Sequence, residues 1–196
     1  GQPITGNIDN NLHLTGTLDN IKASGHILFH EGSYYGILLT AAEGDYTYDA
    51  GNTLLNNFVI KSPFADVKIS GSVRNNNALD FDIDADNVNF SKMPLHLPYP
   101  VEGNGSFKGH VGGTFDNPAF NSTFNAGQIT FNGKKITNVT GQCDYKNDIL
   151  SITNMQCQQD AGKIALSGYM NFITEQVQGN VQADNISVQS LLAMAN

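Results

Sequence analysis

Few residues of this 196-residue chain have types and spacing that could do chemistry. They are the acidic run Asp80-Phe81-Asp82-Ile83-Asp84-Ala85-Asp86, five histidines of which His26 and His30 lie four apart, and two cysteines, Cys143 and Cys157. The acidic run invites a calcium reading, but an EF-hand loop needs a central Gly for its turn and a bidentate Glu at its end, and both are missing. Carboxylates spaced by two stand on one face of a strand, so these four form a wetted face and do not converge on an ion. His26 and His30 would share a helix face, yet Gly25-His26-Ile27-Leu28-Phe29-His30 reads as strand. Positions four apart on a strand are separated by roughly 13 Å, and with His13, His96 and His110 scattered no zinc set forms.

Catalytic signatures are absent as well: no Gly-Xaa-Ser-Xaa-Gly elbow, no His-Glu-Xaa-Xaa-His, no phosphate-binding loop and no dinucleotide fingerprint. The four glutamates (Glu31, Glu43, Glu102, Glu175) sit in turn-like settings. The sequence therefore reads as non-enzymatic, with no metal and no cofactor. If Tyr145 and Ile149 flank a turn at Lys146-Asn147-Asp148, Cys143 faces about Ser151 and Cys157 lies well past it, so the two thiols are expected to stay unbridged. A formal charge of −8 with a single arginine, Arg74, excludes a phosphate-binding surface, and with it nucleic acid as a partner.

The elements that carry these residues are strands. Asn occurs 24 times and Gly 20, and both favour turns over helices. Period-two alternation recurs in Leu12/Leu14/Leu18, Val67/Ile69/Gly71/Val73, Leu79/Phe81/Ile83/Ala85, Phe107/Gly109/Val111, Ile164/Leu166/Gly168/Met170/Phe172 and Val177/Gly179/Val181/Ala183. Between these stand Asp80/Asp82/Asp84/Asp86 or Gln178/Asn180/Gln182/Asp184, the pattern of antiparallel strands with one apolar face. Turns are expected at Asp19-Asn20, Glu43-Gly44, Asp49-Ala50-Gly51, Asn75-Asn76-Asn77, Asp116-Asn117-Pro118, Asn132-Gly133 and Asn147-Asp148. Helix is possible only at Val88–Met93 and Ile186–Ala195. No apolar stretch approaches the roughly 20 residues of a membrane span.

A long repeat organises the pattern. Gly16-Thr17-Leu18-Asp19-Asn20 returns as Gly113-Thr114-Phe115-Asp116-Asn117, and Val67-Lys68-Ile69-Ser70-Gly71 as Ile164-Ala165-Leu166-Ser167-Gly168, both at an offset of 97. Ala85-Asp86-Asn87-Val88 returns as Ala183-Asp184-Asn185-Ile186 at 98. The chain reads as a first β repeat over 1–93, a proline-rich connector over 94–102 and a second β repeat over 103–196, each with about seven strands. It starts at Gly1 without Met, which reads as a segment of a longer protein. With no helices to cover an open sheet, the sheet is expected to curl around its own apolar face.

The element Gly105 to Pro118, the Gly16-Thr17-Leu18-Asp19-Asn20 turn, the strands ending at Ser70-Gly71 and Ser167-Gly168, and the Ala-Asp-Asn-hydrophobic segments resemble the AsmA-like superfamily, especially the TamB proteins of diderm bacteria. The resemblance covers nearly the whole chain as two repeats. It implies an all-β fold, an elongated antiparallel "taco" with an apolar concave groove, in a periplasmic protein anchored in the inner membrane. It further implies partners: phospholipid or nascent outer-membrane protein as cargo, and a BamA/TamA-type outer-membrane barrel contacted by regions outside this segment. The groove is expected to be lined by Leu12, Leu14, Val67, Ile69, Val73, Phe81, Ile83, Phe107, Val111, Ile164, Leu166, Met170, Phe172 and Val181. The competing reading is a β-solenoid stalk of a bacterial surface adhesin, for which a repeat of 20–30 residues would be expected.

Overall fold

Short loops at residues that tolerate a left-handed backbone join most of the strands. The computed structural model describes residues 4–34, 37–93 and 100–187. The chain runs through β1 Ile4–Thr5, β2 Ile8–Thr17, β3 Asn20–Phe29, β4 Gly32–Tyr34, β5 Ile37–Leu39, β6 Ala41–Asp49, β7 Asn52–Lys61, β8 Asp66–Val73 and β9 Leu79–Asn89. After a 3-10 turn at Phe90–Lys92 it continues through β10 Val101–Gly113, β11 Pro118–Phe131, β12 Lys134–Lys146, β13 Ile149–Gln159, β14 Gly162–Asn171 and β15 Val177–Asp184. Twelve of these form one sheet in the order β2-β3-β6-β7-β8-β9-β10-β11-β12-β13-β14-β15. Every pairing is antiparallel, and β2 does not meet β15. The fold is thus all-β, an elongated, curled sheet not closed into a barrel, roughly 50 Å across at ~4.8 Å per strand.

Each half contributes six strands to this sheet, β2 to β9 and β10 to β15, not about seven. The difference lies in the tip of one hairpin. In the second half β11 and β12 run unbroken to Phe131 and Lys134. The matching tip of the first half peels away, and β4 and β5 form a separate three-stranded sheet with β1. Glu43-Gly44 is not a turn but lies inside β6. Val88–Met93 is not a helix either: β9 runs to Asn89 and only a 3-10 turn follows, capped by the Asn89 side chain accepting from the Ser91 N–H. At the C-terminal helix candidate, Ile186 and Ser187 are not helical and 188–195 lie outside the described residues. Of the connector, 94–99 also lie outside them, while Val101 and Glu102 already pair with Phe131 and Thr130 in the sheet.

The repeat is visible in the backbone. Positive φ recurs at Gly6/Gly103, Gly16/Gly113, Ala50/Asn147, Gly51/Asp148 and Asn57/Asn154 with an offset of 97, and at Asn77/Glu175 and Asn87/Asn185 with an offset of 98. Several of these asparagines sit within strands or at their ends. Asn57 in β7, Asn87 in β9, Asn138 in β12 and Asn154 in β13 hold φ between 50° and 54°, and pairing shifts beside each one. Asn tolerates this conformation better than other non-glycine residues. Each bulge reverses the alternation, so the residues two before and one after it share a face: Leu55 with Phe58, Ala85 with Val88, Ile136 with Val139, Ile152 with Met155. Bulges of this kind bend and twist a sheet.

Burial concentrates along the margin that these bulges bend. Ala85 and Val88 pack with Ala65, Phe64, Val67 and Phe107, and Ala126, Ile136, Val139 and Cys157 pack with Phe124, Ile129, Phe131 and Met155. Phe90 touches both clusters. It reaches them because the 3-10 turn lays its ring over Gly105, where a Cβ would stand 2.6 Å from the ring. Phe90→Ala is expected to lower stability by about 2–4 kcal/mol, as for other large-to-small changes in a packed cluster, with the loss read as a shifted urea midpoint. An unchanged midpoint would mean that the two clusters hold independently of this ring.

Candidate functional site

Residues paired directly across an antiparallel ladder share a face, so the registers assign every strand residue to one side. Following them across the sheet, Leu14 pairs Ala23 and Leu12 pairs Gly25, which faces Tyr46. Tyr46 pairs Leu55, Leu55 pairs Gly71, Gly71 pairs Phe81, and Phe81 pairs Val111. Val67, Ile69 and Val73 join through Ala85, Ile83 and Leu79, and Phe107 through Phe124. In the second half Leu166 pairs both Met155 and Val181, Ile164 pairs Cys157, and Met170 pairs Leu150. Thirteen of the fourteen residues expected to line a groove therefore lie on one face. Phe172 lies past the end of β14, half exposed, its ring 6.2 Å from that of Tyr145.

The same registers add residues that simple alternation passes over. Tyr46, Phe58 and Ile60 lie on this apolar face, as do Phe120, Phe124, Leu150 and Ile152. Phe120 meets Phe107 edge-on, with ring centres 6.4 Å apart. Strand glycines make room for such rings: a Cβ on Gly44 would stand 2.5 Å from Phe58. Away from the bulged margin the apolar face is open. Leu14 is 58% exposed, Val181 61% and Val177 72%. Between β13, β14 and β15 it forms an open depression of about 250 Å³ lined chiefly by Leu150, Ile152, Leu166, Met170, Val177 and Val181. That is slightly below the size of a drug-like ligand site and suits part of a chain-like ligand.

The opposite face is charged and polar. Asp82 accepts from His110 Nδ1 (2.9 Å), Asp84 from Lys108 (2.8 Å) and Asp80 from Arg74 (3.0 Å), while Lys22 pairs Asp49, His26 pairs Asp45 and His30 pairs Asp9. Because a carboxylate only accepts, the histidine nitrogen facing it carries the proton. The hydrogen bond from Lys108 to Asp84, and then their charge attraction, hold the Lys108 ammonium above its usual range. Apart from Asp84, whose Oδ1 is buried without a partner, these groups are exposed and screened, so they fix register more than they stabilise. The acidic run is accordingly a solvated face with cationic neighbours, and no cluster of three or more metal-ligating side chains occurs among the described residues. Two of the depressions on this side, about 460 and 520 Å³, have mixed polar linings that include Asn138, Gln156, Lys163 and Gln182.

Both cysteines are free. The β12–β13 loop is the two-residue Asn147-Asp148, so Cys143 faces Ile152, one residue on from the expected Ser151. Burial raises both thiol pKa values, with Asp144 adding to the rise at Cys143. Less thiolate is then present near neutrality, and alkylation of the folded protein at pH 8 should be at least ~10-fold slower than in denaturant, recovering as pH rises. Gln159 is the one buried polar side chain among the described residues, and its Oε1 has no partner. Gln159→Met keeps the shape and removes the orphaned acceptor, so it should raise stability by about 1 kcal/mol in a urea titration. A loss of that size would instead show that the amide is satisfied in solution.

No family model, curated protein or solved structure matches the chain. Among the described residues no helix is long and apolar enough to cross a membrane.

Proposed function

We propose that this chain is a segment of a TamB-like, periplasm-spanning protein whose apolar face shields phospholipid acyl chains, or nascent outer-membrane β-strands, during transport and assembly between two membranes. One observation carries the reading: a single apolar face runs across twelve strands, and among the described residues only the small β1-β4-β5 sheet, at the ring of Phe29, and the 3-10 turn, at Gly105, lie against it. Burying an acyl chain there gains about 0.8 kcal/mol per methylene. The wall presents few polar atoms to a passing chain, so it favours sliding over tight, selective capture. The charged opposite face keeps the segment wetted while the apolar side is occupied. The sequence resemblance implies a parent protein in the periplasm, anchored in the inner membrane, with contact to a BamA/TamA-type barrel made by other regions. A β-solenoid adhesin stalk gains no support from these ladders, all of which are antiparallel.

Photo-crosslinking amino acids at Ile69 and Leu166, on the apolar face, should capture lipid in cells, whereas Lys68 and Ala165, their neighbours on the other face, should not. Equal labelling of both faces would sink the proposal. Leu166→Arg should abolish the parent protein's function while leaving the segment folded by circular dichroism. Mass spectrometry of extracts from the purified segment then distinguishes phospholipid from peptide cargo.

A further inference from the structure

The polar face is not the same in the two halves. Across β8 and β9 the opposed pairs are Lys68 with Asp84, Ser70 with Asp82 and Ser72 with Asp80. Their repeat counterparts across β14 and β15 keep that register, as Ala165 with Gln182, Ser167 with Asn180 and Tyr169 with Gln178. Each carboxylate of the first set is an amide in the second, the lysine is an alanine and one serine is a tyrosine. In the first half Lys108 and His110 occupy two of the acids from the next strand, and the depression at Lys68, Asp84 and Lys108 holds about 300 Å³. In the second half Ala165 and Ser167 leave the floor low. The depressions of about 460 and 520 Å³ there share Gln156, Ala165 and Gln182, so they form one trough along β14. Its walls, β13 and β15, both belong to this chain, so a further strand added beyond β15 leaves the trough open.

Some amides of this face are tied down. Asn138 donates to Gln158 (2.8 Å), Asn154 to Gln142 (3.4 Å) and the Tyr169 hydroxyl to Gln178 (3.2 Å). Gln156, Asn180 and Gln182, on the trough walls, have no side-chain partner among the described residues, and each can donate and accept at once. From Lys163 to Tyr169 is roughly 20 Å of strand, and Lys163 is balanced by Asp184 directly opposite.

We propose that this trough binds a neutral, β-1,4-linked glycan strand laid along β14. Sugar hydroxyls donate and accept as the free amides do. Such glycans are straight ribbons, which suits a straight, shallow-floored trough, and the ring of Tyr169, 38% exposed, offers an apolar surface to the C–H face of a sugar at one end. A polyanionic glycan is disfavoured by the net charge of −8. A peptide strand would need a free sheet edge, and β14 is paired on both sides. The trough lies on the face opposite the apolar wall, so both can be occupied at once, and the proposal stands independently of the cargo of that wall.

Amide chemical-shift titration of the chain with cellohexaose, chitohexaose and the acidic hexagalacturonate tests it. At least one neutral hexamer should bind in the millimolar range or tighter, with shifts centred on β13, β14 and β15, and hexagalacturonate should bind at least ~10-fold more weakly. Ala165→Lys installs the residue that the same scaffold holds at Lys68, and Tyr169→Ser the residue it holds at Ser72. Both should fold, by circular dichroism, and each should lower the affinity at least ~10-fold, by filling the floor or removing the ring. Lys68→Ala, in the other half, should leave the affinity unchanged. No shifts with either neutral hexamer, equal affinity for the acidic one, or binding that survives both trough variants would each overturn the proposal.

Discussion

A sheet whose strands alternate apolar with polar residues has one apolar face, and among the described residues only a 3-10 turn and a small three-stranded sheet lie against it. That single mismatch between apolar area and available cover governs the rest of the molecule. A sandwich would need a second set of strands, and helices would need a sequence far poorer in Asn and Gly. What the chain has instead is curvature, one short 3-10 turn and a few aromatic rings seated on glycines. These close one margin of the face and leave the other exposed, so the apolar wall has a packed side and an open side.

Curvature comes from asparagine as much as from glycine. A left-handed residue inside a strand forces two residues of that strand against one of its partner, and the strand bends there. Asn57, Asn87, Asn138 and Asn154 do this on four strands, and each brings a pair of apolar side chains onto the same face where plain alternation would have split them. Two of the three residues in the Ala65–Ala85–Val88 cluster flank Asn87, and the second cluster holds the pair that flanks Asn138. Bending and burial are therefore produced by the same residues. The recurrence of Asn57 at Asn154 means that this bend is made in both halves by the same device, whereas Asn185, the counterpart of Asn87, lies past the end of β15.

Much of this was legible in the sequence, and the misses have a common cause. The strand class, most turns, the offset of the repeat and the shared face of Leu12, Ile69, Ile83, Leu166 and Val181 follow from spacing alone. Phe58, Met155 and Val139 were not legible, because a bulge adds one residue to the count and shifts everything after it out of phase. The positions of the bulges are written as Asn in an Asn-rich chain, where turn asparagines and bulge asparagines look alike. Glu43-Gly44 misled in the opposite sense. Gly44 marks no reversal and instead makes room for the ring of Phe58, a contact between strands that sequence order does not reveal. The separation of β1, β4 and β5 from the main sheet was invisible for a similar reason, since the same segment of the second half stays in the ladder.

The division into a packed and an open margin resolves a conflict in the proposed role. A face that binds greasy chains must stay uncovered, but an uncovered apolar face contributes little to folding, since stability comes from area removed from water. Here the two requirements fall on different ends of the same strands. On β14, Ile164 packs at the closed margin beside Cys157, while Met170, six residues along, stands in the open depression. On β9, Ala85 is 0% exposed, and the charged side of that strand is tied to β10 through Lys108 and His110. The fold can thus be held by one margin and by its ladder while the other margin is left free. An arginine at position 166, between the two, should burden binding more than folding.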